Sequence, residues 1–226
     1  MSSSGDEADD APRRRAWGSL SRAQIVAAGR EIARREGMRA LTIRRLASEL
    51  GASRMALYRH VPDKDTLVGL VMDAIAEHDV VSPDLGEGPW QDRLRRIADA
   101  MRRELTAWPG LLDLHMTRAH TGPGALYLVE SVLDILADAG LDDEQSARHY
   151  LVFADLVLGR LHRELRGDPV DPHRTAALLD LAEKSGAHPR LAAVAPHLRD
   201  AAPRQVFEDE LSVLILAIEA AARSSS

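Results

Sequence analysis

The sequence predicts an all-α fold. Apolar residues recur at spacings of three and four, the period of an amphipathic helix. No segment shows the alternation of apolar and polar residues that is typical of a half-buried strand. Hydrophobic residues make up 45% of the 226 residues, enough for a substantial core. We therefore expect a short N-terminal group of helices followed by a larger helical domain.

The first helix is expected to begin after Ser21. Ser21 and Gln24 form a capping-box pattern, in which each side chain binds a backbone N–H of the other residue. Gly37 ends this helix, and Thr42 caps a second helix that runs to about Leu50.

Gly51 marks the end of the second helix, and Ser53 caps a third. Pro62 breaks the chain before a fourth helix, which runs to about Asp79. A loop rich in Pro and Gly follows at 81–90. The remaining expected elements are a helix through 94–105 closed at 108–110, a short helix at about 111–119, a helix ending near Gly140, a long helix at 143–166, one or two short helices within 167–203, and a last helix at about 204–222.

The second and third helices have the spacing of a helix-turn-helix unit. Such a unit needs a small residue where the two helices approach, a glycine at the turn and an apolar residue that reaches back. Ala47, Gly51 and Leu57 supply these three features. The sequence therefore predicts two short helices crossing on top of the first.

Charge is distributed unevenly along the chain. Residues 11–64 carry 13 Lys+Arg against four Asp+Glu, whereas residues 65–226 carry 16 against 27. A basic block in an acidic chain indicates a local surface for a polyanion. An Arg-rich solvated helix surface would give part of the same pattern, so charge alone leaves both interpretations open.

The second helix of a helix-turn-helix unit lies in the major groove of DNA. Here Arg54 could bind guanine in a bidentate fork, with Met55 and Ala56 against a thymine methyl. The other expected contacts are Arg44 and Arg59 to bases or phosphates, Tyr58, His60 and Lys64 to phosphates, and the hydroxyls of Thr42 and Ser53 as further donors. The basic run at 12–17 could lie along the backbone or in the minor groove. The alternative for Tyr58 is a half-buried core residue, and for His60 a solvated helix cap.

An enzyme is disfavoured by the motifs. The chain has no Walker loop, no G-x-G-x-x-G and no H-E-x-x-H. Asp113, His115 and His120 are close in sequence, but helical spacing would scatter them around the axis. The chain has no cysteine, no apolar run of the roughly 18–20 residues that a membrane span needs, and no apolar signal-peptide core at its N-terminus. We expect a cytoplasmic protein with no catalytic site, cofactor, metal or membrane partner.

Residues 21–75 resemble the DNA-binding segment of the tetracycline-repressor (TetR) family of bacterial transcription regulators. The motifs "ALTIRRLASELG", "LYRHV" and "DKDTLVGLV" carry the resemblance in order and spacing. A looser likeness to the C-terminal domain of the tetracycline repressor covers most of 88–220. The resemblance implies a disordered acidic and basic tail at 1–16, a helix-turn-helix DNA-binding domain at 17–65, a connecting helix at 66–80, and a ligand-binding and dimerisation domain at 81–226.

The resemblance also implies a mechanism. Members of the family are homodimers on a palindromic double-stranded DNA operator, and here the helices at 143–166 and 204–222 would pair across the two-fold axis. A small-molecule effector in the C-terminal core would tilt the fourth helix and release the DNA. The candidate pocket residues are Ile97, Met101, Trp108, His115, Tyr127, Val132, Tyr150 and Phe153, although most residues of such types are simply core.

His115 lies near the place where the tetracycline-sensing branch holds its magnesium-bound drug with a histidine. Other polar positions of that pocket fall here on Val80, Ile97 and Met101, which disfavours tetracycline and favours a more apolar effector. We therefore expect a ligand-responsive repressor. A transcriptional activator of the same fold and a DNA-binding protein without a ligand stay open as alternatives; a sensor predicts a cavity of about 300–1,000 Å³.

Overall fold

The computed structural model describes residues 20–81, 83–117, 121–166 and 172–224, and all regular structure within them is helical. The predicted all-α fold class is confirmed. The α-helices of these ranges are α1 (Arg22–Glu36), α2 (Ile43–Leu50), α3 (Arg54–Tyr58), α4 (Lys64–Ile75), α5 (Trp90–Ala107), α6 (Leu111–Thr117), α7 (Pro123–Asp138), α8 (Asp143–Arg166), α9 (Pro172–Ser185), α10 (Pro189–Asp200) and α11 (Pro203–Ser224). Short 3₁₀ turns at Met38–Ala40 and Pro83–Gly86 and a π-helical turn at Ala76–Val80 lie between them.

The capping box predicted before α1 is present. The Ser21 hydroxyl accepts a hydrogen bond from the N–H of Gln24 at 3.2 Å, and the Gln24 side-chain oxygen accepts one from the N–H of Ser21 at 2.9 Å. Ile25 and Ile32 on the inner face of α1 are completely buried. α1 therefore begins where the sequence predicts and supplies the apolar support for α2 and α4.

The turn between α2 and α3 has the geometry that the sequence predicts. Gly51 adopts φ 61° and ψ 26°, in the left-handed region that favours glycine. The Ser53 hydroxyl accepts a hydrogen bond from the N–H of Ala56 at 3.1 Å and so caps α3. Ala47 and Leu57 are buried, and Leu57 has no exposed surface. The helix-turn-helix prediction is confirmed at the level of the fold.

α4 connects the helix-turn-helix unit to the rest of the chain. It begins after Asp63, whose carboxylate accepts a hydrogen bond from the N–H of Thr66 at 2.7 Å. This bond holds the pKa of Asp63 below its ordinary value. The π-helical turn continues α4 to Val80, one residue beyond the predicted end near Asp79. One face of α4 packs on α1, and α7 packs on α4 and its π-helical turn.

The larger core lies between α5, α7, α8 and α11. α7 and α8 pack on α5, and α11 packs on α8. The buried side chains of this core include Ile97, Val132, Phe153 and Phe207. α8 has the bounds that the sequence predicts, and α11 is longer than the expected 204–222 by one residue at its start and two at its end.

The segment 167–203 carries five prolines. Its described part contains two helices, α9 and α10, which pack against each other as a hairpin. Leu179, Ala182 and Ala195 are buried there. The Arg199 guanidinium lies 2.8 Å from a carboxylate oxygen of Glu183 and also pairs with a second acidic residue of α9. The prediction of one or two short helices is confirmed.

Candidate nucleic-acid interface and effector region

α3 presents a polar and apolar surface to solvent. Its one buried residue is Leu57, and α3 packs on α2. Met55 is 75% exposed and Tyr58 is 46% exposed, although both have large apolar surfaces. Arg54 is exposed beside them, and Ala56 is half-buried. The structure therefore brings the expected base-reading residues together on the outer face of one short helix.

The cations expected to bind DNA lie on the same outer surface. Arg44 on α2, Arg59 and His60 after α3, and Lys64 at the start of α4 are all exposed. Within the part of the chain that the structure describes, Arg44, Arg54, Arg59 and Lys64 form no ion pair with an acidic side chain. Their positive charge is therefore available to phosphates. Tyr58, at 46% exposure, reaches this surface with part of its ring covered.

Other arginines of the basic block are held by carboxylates instead. The Arg45 guanidinium lies 2.7 Å from oxygens of both Glu36 and Glu49, and Arg35 also pairs with these two acids. The bond from Arg45, and next that from Arg35, lowers the pKa of Glu36 to about 2. The same arginines lower the pKa of Glu49. This cluster ties α1 to α2 and separates structural arginines from the exposed ones.

The two expected hydroxyl donors serve as helix caps. Thr42 accepts a hydrogen bond from the N–H of Arg45 at 3.1 Å, and Ser53 caps α3 as described above. Each hydroxyl hydrogen stays available to donate to a phosphate oxygen. The expected arm at 12–17 and the tail at 1–16 lie outside the described residues.

The candidate effector residues do not form one group. Ile97 and Met101 on α5, Val132 on α7 and Phe153 on α8 are buried in the core. Tyr150 on α8 is half-buried and packs against that core. Burial raises the pKa of the Tyr150 phenol. Tyr127, by contrast, is 52% exposed on α7, and His115 is half-buried on α6.

Trp108 lies at the joint between the two halves of the chain. Its ring faces the guanidinium groups of Arg30 and Arg34 on α1, each 5.7 Å from the ring centroid. Its indole N–H donates to Glu104 at 2.9 Å. The next residue, Pro109, accepts a hydrogen bond from the N–H of Met38 at 2.8 Å. Trp108 is therefore buried between α1 and the end of α5.

A cleft of about 490 Å³ opens at the same joint. Its volume is in the range of small-molecule sites. Among the eight candidate effector residues, only Trp108 lines it. The other walls include Glu36 from α1 and Arg39 from the 3₁₀ turn after it, and Leu105, Leu112 and Asp113 from α5 and α6.

A further contact between the halves was not predicted from the sequence. The Asp73 carboxylate on α4 accepts a hydrogen bond from the N–H of Gly124, in the first turn of α7, at 2.8 Å. The "GPG" at 122–124 was the available signal, because proline is favoured in the first turn of a helix and glycine permits close approach of another backbone.

The described residues also bear on the alternative classes. Within them, no three His, Asp or Glu side chains cluster as ligands for a metal ion. His120 lies outside the described ranges, so the triplet with Asp113 and His115 is only partly placed. No helix in the described ranges combines the length and apolar character that crossing a bilayer requires.

Comparison with known proteins identifies both halves of the chain. The profile of "Bacterial regulatory proteins, tetR family" matches residues 25–71, and that of "Tetracyclin repressor-like, C-terminal domain" matches residues 82–222. The chain is 34% identical over 151 residues to the HTH-type transcriptional repressor DrrR1 of Streptomyces coeruleorubidus. That match covers 65% of this chain and 54% of DrrR1, so the chain spans about half the length of this relative.

Two further proteins match over most of their length. The tetracycline repressor protein class A of Escherichia coli is 26% identical over 194 residues, which cover 84% of this chain and 87% of the repressor. ActR of Streptomyces coelicolor, in its complex with actinorhodin, superimposes with a TM-score of 0.74 at 26% identity, over 92% of this chain and 99% of ActR. The matches span the exposed α3 surface and the α5–α11 core alike, and the chain belongs to the TetR family of bacterial regulatory proteins.

Proposed function

We propose that this protein is a homodimeric repressor that binds a palindromic DNA operator through α3 and releases it when a small, fairly apolar effector binds. The observation that carries the proposal is the outer face of α3, where exposed Arg54 and Met55 stand beside Tyr58. An exposed methionine on a five-residue helix has no role in the core. It fits contact with a thymine methyl in the major groove.

The DNA contacts follow from position on this surface. Arg54 binds guanine, and Met55 and Ala56 contact a neighbouring base pair. The remaining residues are Arg44 and Arg59 for bases or phosphates, Tyr58, His60 and Lys64 for phosphates, and the hydroxyls of Thr42 and Ser53. Repression, rather than activation, is proposed because DrrR1 and the class A protein of Escherichia coli are named repressors. We propose a cytoplasmic location, where the operator of a bacterium lies.

The proposed dimer interface is the outer face of α8 and α11. These two helices pack on each other, yet each carries large apolar residues toward solvent. Leu151 and Val152 on α8 and Val213 and Leu216 on α11 are between 51% and 66% exposed. Large apolar residues exposed on two helices that pack together indicate an interface. A two-fold dimer would cover both helices of each protomer at once.

The proposed effector region is the core between α5, α7 and α8. Ile97, Met101, Val132, Tyr150 and Phe153 supply mostly apolar surface there with one phenol. ActR has been solved with actinorhodin, and we infer that this chain likewise takes a small organic molecule. His115 and Tyr127 are proposed at the periphery of that region. Trp108 is better explained by the domain joint.

The experiment has two arms. Selection from a random-sequence duplex pool should recover a palindrome, which the protein then binds as a dimer in fluorescence anisotropy. Sedimentation of the free protein should give twice the chain mass, and Val213→Asp should give the monomer mass and abolish operator binding. Ala107→Asp, at an exposed position at the end of α5, is the matched control and should stay dimeric. A monomeric wild-type protein, or selection that recovers no sequence, refutes the proposal.

A further inference from the structure

α4 is held between the two halves of the chain, with α1 on one face. An added Cβ at Gly29 of α1 would lie 2.8 Å from a methyl carbon of Val71 on α4. Ordinary van der Waals contact between carbons is about 3.5–4.0 Å. The absence of a side chain at Gly29 therefore lets the two helices approach closely. α4 and α1 form one packed unit on the DNA-binding side.

The opposite face of α4 meets the start of α7. A Cβ added at Gly124 would lie 2.5 Å from the carbonyl oxygen of Asp73 and 2.6 Å from its Cα. A Cβ added at Gly122 would overlap the Asp73 carboxylate. Glycine at position 124 is thus required for the first turn of α7 to reach the backbone of α4, whereas a Cβ at position 122 would displace the Asp73 side chain.

The Asp73 carboxylate completes this contact. It accepts the N–H of Gly124 at 2.8 Å, one of the donors that the first turn of a helix leaves without an intrahelical partner. A negative charge at a helix N-terminus is favourable, because the helix dipole is positive there. Asp73 therefore joins α4 to α7 through hydrogen bonding and charge, across 51 positions of sequence.

We propose that Asp73 is a positioning residue for DNA binding: its bond to α7 fixes the angle of α4, and so the separation of the two α3 helices in the dimer. The inference rests on the proposed dimeric operator binding. Two half-sites one helical turn apart lie about 34–36 Å from each other, so a rotation of α4 in each protomer changes whether both α3 helices can dock together. Asp73 itself lies on α4, away from α3.

The first test measures the distance between the two DNA-binding units without DNA or effector. The chain has no cysteine, so Ala27→Cys on the exposed face of α1 gives one spin label per protomer. Pulsed electron resonance should give one narrow distance distribution in the otherwise unchanged dimer. Asp73→Ala and Gly124→Ala should each broaden it and shift its mean, whereas Asp73→Asn, which keeps an acceptor oxygen, should retain the narrow distribution.

Two matched control variants test whether any substitution of this kind changes the distance distribution. Asp134→Ala removes an exposed carboxylate from α7, and Gly86→Ala adds a methyl group where nothing lies within 4 Å. Both should give the unchanged distribution. Asp73→Ala removes the acceptor of the hydrogen bond, and Gly124→Ala displaces its donor. If one variant does not fold, the other still tests the same contact.

The second test measures operator affinity against half-site spacing. The duplex recovered by selection is compared with versions carrying one or two extra central base pairs. The wild-type protein should prefer its own spacing strongly, whereas Asp73→Ala should lose about tenfold in affinity for that spacing and bind all versions about equally, because fewer dimers hold the competent geometry. If Asp73→Ala only lowers the urea midpoint, and keeps the distance distribution and the spacing preference, the inference is overturned and operator binding stands. If wild-type protein selects no operator, both proposals fail.

Discussion

The anchoring of α3 by Leu57 gives the sharpest prediction. Leu57→Ala removes three carbon atoms from a side chain with no exposed surface. At about 0.8 kcal/mol for each buried carbon the transfer loss is about 2.4 kcal/mol. The cavity left behind raises the cost to about 3 kcal/mol, within the range of about 2–5 kcal/mol for such substitutions.

Because Leu57 is the one buried residue of α3, its substitution should affect α3 more than the rest of the fold. α3 has five residues and cannot persist alone, and its other side chains are exposed or half-buried. Local detachment of α3 is therefore the easiest response to Leu57→Ala. We expect operator affinity to fall at least about tenfold, while helix content measured by circular dichroism hardly changes.

The assay compares urea unfolding with fluorescence anisotropy on the selected operator. Met55→Ala is the matched control from the same helix, because Met55 is 75% exposed. It should weaken binding at one base-pair position and change the free energy of unfolding by less than about 0.5 kcal/mol. Unchanged operator affinity and unchanged stability in Leu57→Ala would refute the assignment of Leu57 as the anchor of α3.

Three further predictions concern the same unit. Arg54→Ala should cost about 1–3 kcal/mol and relax preference at one base pair, whereas Lys64→Ala should weaken binding to all sequences and lower the salt slope by about one; equal losses on specific and random DNA would contradict this division in an anisotropy titration. Gly51→Ala places an L-residue at φ 61° and should lower the free energy of unfolding in urea by about 1–2 kcal/mol. An unchanged urea midpoint would contradict the left-handed conformation at position 51. The pKa of Glu36 lies at about 2, below its ordinary 4.5, so its pairing with Arg45 stabilises the fold above about pH 4.5 and this stabilisation is lost as pH falls toward 2. Glu36→Gln should flatten the fall in urea midpoint over that range, and an unaltered pH profile would exclude the contribution.

Local features of the fold could be predicted from the sequence because their causes are local. Ser21, Thr42 and Ser53 each bind a backbone N–H three residues ahead, so the cap and its partner are visible in one short stretch. Gly51 is recognisable for the same reason, since the turn needs a left-handed residue. The exposed basic surface could be predicted from the same features, because the turn at Gly51 and the buried Leu57 determine which face of α3 is turned to solvent.

Contacts between distant segments could not be predicted in this way. Nothing near Asp73 in the sequence indicates that its partner is Gly124, and nothing near Trp108 indicates two arginines of α1. The composition of the basic block likewise does not predict that Arg45 forms an ion pair with Glu36 while the neighbouring Arg44 is exposed.

The effector residues show a further limit. Helical periodicity separates buried from exposed positions, and it correctly assigns Ile97 and Phe153 to a core. It does not show which buried positions border a ligand, since that depends on the volume left between α5, α7 and α8.

The position of Trp108 beside two guanidinium groups of α1 has a consequence for its fluorescence. The chain contains three tryptophans, of which Trp17 lies outside the described residues and Trp90 is half-buried. Indole emission depends on nearby charge and on contact with water. If α1 moves away from α5, the emission wavelength and intensity of Trp108 should therefore change. Replacing Trp17 and Trp90 by phenylalanine would leave Trp108 as the single tryptophan. Its fluorescence could then be used to screen metabolites for the effector without labelled DNA.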